Sequence, residues 1–185
     1  MKTKTSKRLV IDASVAMAAS GNSIFPKSKH CRDFLTAVLQ TCHRVVMTPE
    51  IYEEWKKHHT MFSHTWRIQM IGRKLLKVYA VETNETLRAK IEHLEVKNNE
   101  RQAMLKDMLL IEAALVTDKT VISLDEVVRA LFKQATAQVG ELRQIVWVNP
   151  DKVVEEPLLW LENGAMANKE RLLFSQDNLE IWKIK

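Results

Sequence analysis

Apolar and polar positions alternate along this chain in a way that predicts strands and helices in turn. Leu9-Val10-Ile11 is a short apolar run that meets a carboxylate, Asp12, and then small residues, Ala13 and Ser14. Such a run reads as a buried strand of a parallel sheet, followed by a helix over Ala13 to Ser20 and a loop at Gly21-Asn22-Ser23. Cys31, Phe34, Leu35, Val38 and Leu39 then recur at helical spacing, and Arg44 to Thr48 reads as a second strand. A helix start follows, with Thr48 as N-cap and Pro49 in the first turn; Ile51 and Trp55 face the core while Glu50 and Glu54 share a face.

Val78 to Val81 suggests a short extra strand, Thr83 to Asn98 a charged helix ending at Asn98-Asn99, and Glu100 to Val116 one long helix with Met104, Met108, Ile111, Ala114 and Leu115 on its apolar side. Asp107 falls near the edge of that stripe. Thr120 to Leu124 reads as a strand that also runs into a carboxylate, Asp125, before a helix over Glu126 to Ala137. Arg143 to Val148 supplies the last strand, stopped by Asn149-Pro150. The alternation predicts an α/β domain over residues 1–150 with a central, mainly parallel sheet. A C-terminal extension, 151–185, contains a compact helix at Pro157 to Gly164. Its tryptophans, Trp160 and Trp182, need burial either on the domain or on a second subunit.

With 185 residues and 46% apolar content, the chain can build a proper core. A net charge of +5 favours an anionic partner without requiring one. The distribution is more telling: from Lys56 to Val81 there is no acid, while Lys56, Lys57, Arg67, Arg73, Lys74 and Lys77 are present. Phe62, Trp66, Ile68, Met70, Ile71, Leu75 and Leu76 interleave with them, so amphipathic helices with a basic, phosphate-contacting face are expected. The basic N-terminus imitates a secretory signal, but Asp12 interrupts its apolar part, and no run approaches the ~18 apolar residues of a membrane helix. A cytoplasmic protein is expected. Cys31 and Cys42, beside His30 and His43, lack the close paired spacing of zinc modules, so free thiols are expected.

Asp12, Glu54, Asp107 and Asp125 are thus four acids directed to one sheet edge. Taken singly, two of them have an ordinary reading: Asp12 as a helix cap and Asp107 as a solvated helix position. Together the four repel. Two unit charges ~4 Å apart at an effective dielectric near 20 cost about 4 kcal/mol. An all-oxygen cluster suits Mg2+ or Mn2+ rather than zinc.

In these residues the chain resembles the PIN (PilT N-terminus) domain nucleases, which include VapC-type toxins. The resemblance covers roughly residues 8 to 150. Leu9-Val10-Ile11-Asp12-Ala13-Ser14 resembles the family's opening strand with its first acid, and Thr48-Pro49 through Trp55 its Ser/Thr-Pro motif, which makes Glu54 the second acid. Asp107 to Leu115 resembles the third motif. Val121-Ile122-Ser123-Leu124-Asp125 resembles the fourth, with Ser123 in place of the common Thr. Glu126-Val127-Val128 stands where the family commonly has a Phe, which leaves the use of Glu126 open.

The resemblance implies a three-layer PIN-like fold and metal-dependent hydrolysis of phosphodiester bonds in single-stranded RNA. Asp12, Asp107 and Asp125 would hold Mg2+ or Mn2+, Glu54 would complete the set, and Ser14 and Ser123 would orient carboxylates or substrate. Lys56, Lys57, Arg67, Arg73 and Lys74 would form the electrostatic track for RNA, with Phe62 or Trp66 as a stacking platform if they are not core. It also brings in a toxin role, an antitoxin protein as partner, and a homodimer. The alternatives are a non-catalytic RNA-binding or assembly module of the same fold, and an aspartyl-phosphate phosphotransferase using Asp12.

Overall fold

A computed structural model of the protein describes residues 6–20 and 25–174. Its elements in chain order are β1 (Arg8–Ile11), α1 (Ala13–Ala18), α2 (Pro26–Gln40), β2 (Arg44–Met47), α3 (Pro49–Lys57), α4 (Met61–Gly72), β3 (Leu76–Val78), α5 (Glu85–Glu92), α6 (Asn98–Lys106), α7 (Met108–Leu115), β4 (Thr120–Ile122), α8 (Glu126–Ala135), β5 (Val146–Val148) and α9 (Pro157–Glu162). The expected Gly21-Asn22-Ser23 loop and Trp182 lie outside the described residues.

The strands form one five-stranded sheet in the order β3-β2-β1-β4-β5, and every pairing is parallel. β4 and β5 are buried throughout because both of their faces are covered, whereas the edge strand β3 leaves Lys77 and Val78 exposed. The contacts group α1 to α4 together and α5 to α8 together, so the helices between β1 and β3 cover one face and those between β3 and β5 the other, as right-handed crossovers require. The winding therefore reverses between β1 and β4. In an open α/β sheet the crevice at such a reversal, beyond the carboxyl ends of the strands, is the usual place for a ligand.

Two tryptophans lock the helices on the first face. Trp55 Nε1 donates to Ile11 O at 2.9 Å, and Trp66 Nε1 to Leu35 O at 2.6 Å, with the two rings stacked 5.5 Å apart. The bond to Ile11 fixes α3 against the end of β1.

Several boundaries differ from those expected. The helix expected over Thr83 to Asn98 stops at Glu92. Asn98 opens α6 instead, after a turn in which Arg101 Nη2 donates to Leu94 O at 2.9 Å. The long helix expected over Glu100 to Val116 breaks at Asp107, whose φ of −92° and ψ of 6° leave the helical path. The two halves serve different surfaces: α6 packs against α5 and α8, and α7 against β1 and β4. The extra strand is Leu76–Val78 rather than Val78 to Val81, although Tyr79 N still donates to Met47 O at 3.2 Å. Residues Gly140–Gln144 form a 3-10 turn, so the last strand begins at Val146.

Residues 151–174 lie on their own domain. Trp160 is buried, α9 packs on α2, and the His43 ring hydrogen-bonds Leu161 O at 3.0 Å. Leu172 forms an antiparallel bridge with Val146, covering the β5 edge. The two thiols are free: Cys31 is buried, which pushes it up to about 12, and Cys42 is exposed. Among the described residues no helix is long and apolar enough to cross a membrane.

Candidate functional site

Asp12 follows the last residue of β1, and its N–H donates to Ile122 O at 2.9 Å, so the β1–β4 ladder carries it to the mouth of the sheet. It stands at the N-cap position of α1, yet its side chain caps nothing. Instead Oδ2 accepts from the Ser14 hydroxyl and, at 2.8 Å, from Ser123 Oγ. Oδ1 accepts no hydrogen bond among the described residues. One oxygen of the carboxylate is thus oriented and the other left open.

Asp125 does act as a cap. Its Oδ1 accepts from Val128 N at 2.8 Å at the start of α8, and its own N–H donates to Ser123 Oγ at 3.1 Å. Ser123 therefore links the two acids: its hydroxyl donates to Asp12 and accepts from Asp125. Because Ser123 is fully buried, it holds that geometry without competition from solvent.

Asp107 approaches from the other face of the sheet, at the junction of α6 and α7. Burial, and then the charges of Asp12, Asp125 and Glu54, push its carboxyl up to about 7; the neighbouring Lys106 opposes that rise. Asp12, Asp125 and Glu54 thus lie near enough to act on the Asp107 charge. Glu54 itself is exposed, one residue before the Trp55 anchor. Among the described residues no group of three or more His, Cys, Asp or Glu side chains is arranged to hold a metal ion as it stands.

Comparison with protein-family models, curated proteins and solved structures found no match.

The basic residues do not form one track. Lys56 and Lys57 are exposed at the end of α3, beyond Glu54, and Lys56 pairs with Glu53 at 2.8 Å. Arg67 is only 7% exposed, with its guanidinium over the Tyr52 ring at 5.0 Å. Thus α4 turns a cation toward the core and leaves Ile68 and Ile71 in solvent, the reverse of the amphipathic face expected there. Arg73 and Lys74 precede β3, whose Leu76 is level with Val45 and hence with Leu9. At about 3.3 Å per residue they lie more than ~10 Å below Asp12, toward the opposite edge of the sheet. Trp66 is buried and Phe62 half-buried against the core, so neither offers a free stacking face.

Glu126 is turned away from the acids. Its carboxylate meets Lys152 at 2.5 Å, Arg129 at 3.2 Å and Asn149 Nδ2 at 3.0 Å. Burial would raise its pKa, but the hydrogen bonds from Lys152 and Asn149 and the charge of Arg129 outweigh it and hold the group below the usual range. Glu126 binds the start of α8 to the segment after β5. The sequence reading missed two residues. Lys106 acts on Asp107 from the adjoining position, which adjacency alone could have signalled. Glu112, buried on α7, accepts from Arg88 and from Asn84 N; no local pattern announces that long-range pairing.

Proposed function

We propose that this chain is a divalent-metal-dependent ribonuclease of PIN-like type, hydrolysing phosphodiester bonds of single-stranded RNA. The observation that carries the reading is the Asp12 carboxylate at the reversal of the sheet, held through Oδ2 by Ser14 and Ser123 with Oδ1 open, beside Asp125 on the same serine and Asp107, whose carboxyl burial and those acids push up. Such a cluster stores repulsion that a bound cation relieves, and perturbed carboxylates in a cleft are a mark of functional sites.

The donor set fits Mg2+ or Mn2+. All its members are carboxylates, which hard cations prefer, and Mg2+ keeps several of its waters and needs only one or two carboxylates. Among the described residues no three acids close around one point as they stand, so some of the set would reach the ion through water. Asp12 through its open Oδ1, Asp107 and Asp125 would hold the ion, with Glu54 at the rim. When bound, such an ion neutralises phosphate charge and lowers the pKa of an attacking water.

The chain's own groups do the rest. Ser14 and Ser123 hold the Asp12 carboxylate in one orientation. Asp107, whose carboxyl burial and the neighbouring acids push up to about 7, would give up its proton on joining the ion. Lys56 and Lys57 offer exposed cations for the RNA backbone next to Glu54. A toxin role, with an antitoxin partner and a homodimeric assembly, is the narrower form of the same proposal.

The test is Mn2+-dependent cleavage of mixed single-stranded RNA by the wild type and by Asp12→Asn. The expected result is cleavage by the wild type and none by the variant, with unchanged circular dichroism. Equal cleavage by both would sink the site, and a gel shift of intact RNA by the wild type would leave a binding module.

A further inference from the structure

We infer that the cleft between α1 and α8, beside Asp125, is a subsite for one unstacked nucleotide of a single-stranded RNA. The inference rests on the ribonuclease reading and adds to it a place where the strand is gripped. The cleft has a volume of about 590 Å3, within the range of small-ligand sites, roughly 300–1,000 Å3. Met17, Leu124 and Val127 supply its apolar surface, Lys27 stands on its rim, and Asp125 and Glu126 also line it.

Met17 and Val127 have no part in the core. The buried face of α8 is Val128, Leu131, Phe132 and Ala135, and that of α1 is Ala13, Val15 and Ala16. Both side chains instead point to solvent, Met17 57% and Val127 70% exposed. Two apolar side chains facing one cleft can cover the flat surface of a base, which in single strands is free to leave its stack.

The charges select the occupant. Glu126 is balanced by Lys152 and Arg129, and Asp125 belongs to the proposed metal set. Lys27, exposed in the first turn of α2, makes no ion pair among the described residues, so the rim carries a cation without a counter-charge. A ligand with an apolar face and an attached anion matches this, and the cleft is continuous with the acids through Ser14 and Asp125. A base lying on Met17 and Val127 with its phosphate toward Lys27 meets both requirements.

The experiment measures binding of a fluorescein-labelled mixed RNA hexamer by anisotropy, in EDTA, over a series of salt concentrations. Lys27→Ala is expected to weaken binding several-fold and to reduce the slope of log K against log salt by about 0.7, the value of one phosphate contact on a single strand. Met17→Ala with Val127→Ser is expected to weaken binding several-fold with the slope unchanged. Lys133→Ala, exposed at the far end of α8, should alter neither. If the wild type binds the hexamer and Lys27→Ala behaves like Lys133→Ala, the subsite is overturned while the ribonuclease reading stands. That holds too if the apolar pair alone matters, which would point to a protein side chain as the occupant. If the wild type binds no RNA at low salt either in EDTA or with Mg2+ present, the ribonuclease reading fails and this inference with it.

Discussion

Ser123 Oγ donates to Asp12 Oδ2 at 2.8 Å across the seam between β1 and β4. The bond joins the ends of two adjacent strands at the reversal of the sheet's winding and leaves the other oxygen of Asp12 open. Asp125 donates its N–H to the same hydroxyl at 3.1 Å, so one buried side chain sets the separation of two acids. Ser123→Ala is expected to keep the fold, with a loss of about 0.5–1.5 kcal/mol in urea denaturation for the missing hydrogen bond. Metal affinity should fall roughly 10–100-fold, as for other residues that orient a ligand. Unchanged Mn2+ affinity in calorimetry would show that the serine does not orient Asp12.

Asp107 should make stability depend on pH with an unusual sign. Its carboxyl titrates near 3.8 when unfolded and at about 7 in the folded protein, where burial and then the Asp12 and Asp125 charges disfavour ionisation. Between those values the folded state binds more protons than the unfolded one, so this contribution is full below about 3.8 and is lost as pH rises through about 7. Asp107→Asn should abolish that fall and be more stable than the wild type at pH 8 without metal. Melting curves at pH 5 and pH 8 check it; parallel behaviour of the two proteins would contradict the shift.

Divalent ions should reverse that order. At a hundredfold excess over Kd a ligand specific to the folded state contributes about 2.7 kcal/mol, which for a chain of this size is a rise in Tm of roughly 5–10 °C. Mn2+ should raise the Tm of the wild type by such an amount at pH 8 and that of Asp107→Asn by much less. Identical increments would remove Asp107 from the proposed set.

The parts of this arrangement that were legible in the sequence are those set by local pattern. Apolar runs ending in Asp12 and Asp125 mark strand ends, and Thr48-Pro49 marks the start of α3, because caps and strand termini are decided within a few residues. The break at Asp107 was not legible: Met104 to Leu115 keeps helical periodicity across it, and only the need of α6 and α7 to reach different surfaces separates them. Arg67 was misassigned for a related reason. Periodicity does not say which face of α4 meets Tyr52, and a cation over that ring can turn inward where Ile68 and Ile71 turn out.

Buried Glu112 pairs with the part-exposed Arg88 and so ties α5 to α7. Arg88 Nε and Nη2 donate to the two carboxylate oxygens at 2.8 and 2.7 Å, and Asn84 N donates to Oε1 at 2.9 Å. Arg88→Ala would leave a nearly buried carboxylate without its cation, so a loss of about 3–5 kcal/mol is expected. Replacing both partners, as Arg88→Met with Glu112→Leu, should cost less than Arg88→Ala alone. Additive losses in denaturant titrations would mean that the pair is not coupled.

Arg129 holds the start of α8 to the segment after β5 more strongly than Lys152 does. Its Nη1 reaches Glu155 at 2.6 Å and Glu126 at 3.2 Å with only 13% of the side chain exposed, while Lys152 is 43% exposed. Exposed pairs contribute about 0–1 kcal/mol, so Lys152→Ala should change global stability little. Arg129→Ala removes the shared cation from two carboxylates, one of which already has a buried oxygen, Glu155 Oε2, without a partner. It should therefore destabilise more than Lys152→Ala and speed amide exchange over residues 151–156 before it affects β1 or β4. The Glu126 carboxyl lies below its ordinary 4.5, so its contribution is full above that value and is lost as pH falls through the depressed one. Exchange over residues 151–156 should accordingly quicken on acidification in the wild type, after correction for the intrinsic rate, and much less in Glu126→Gln. Equal acid response in both proteins would show that Glu126 does not hold this segment.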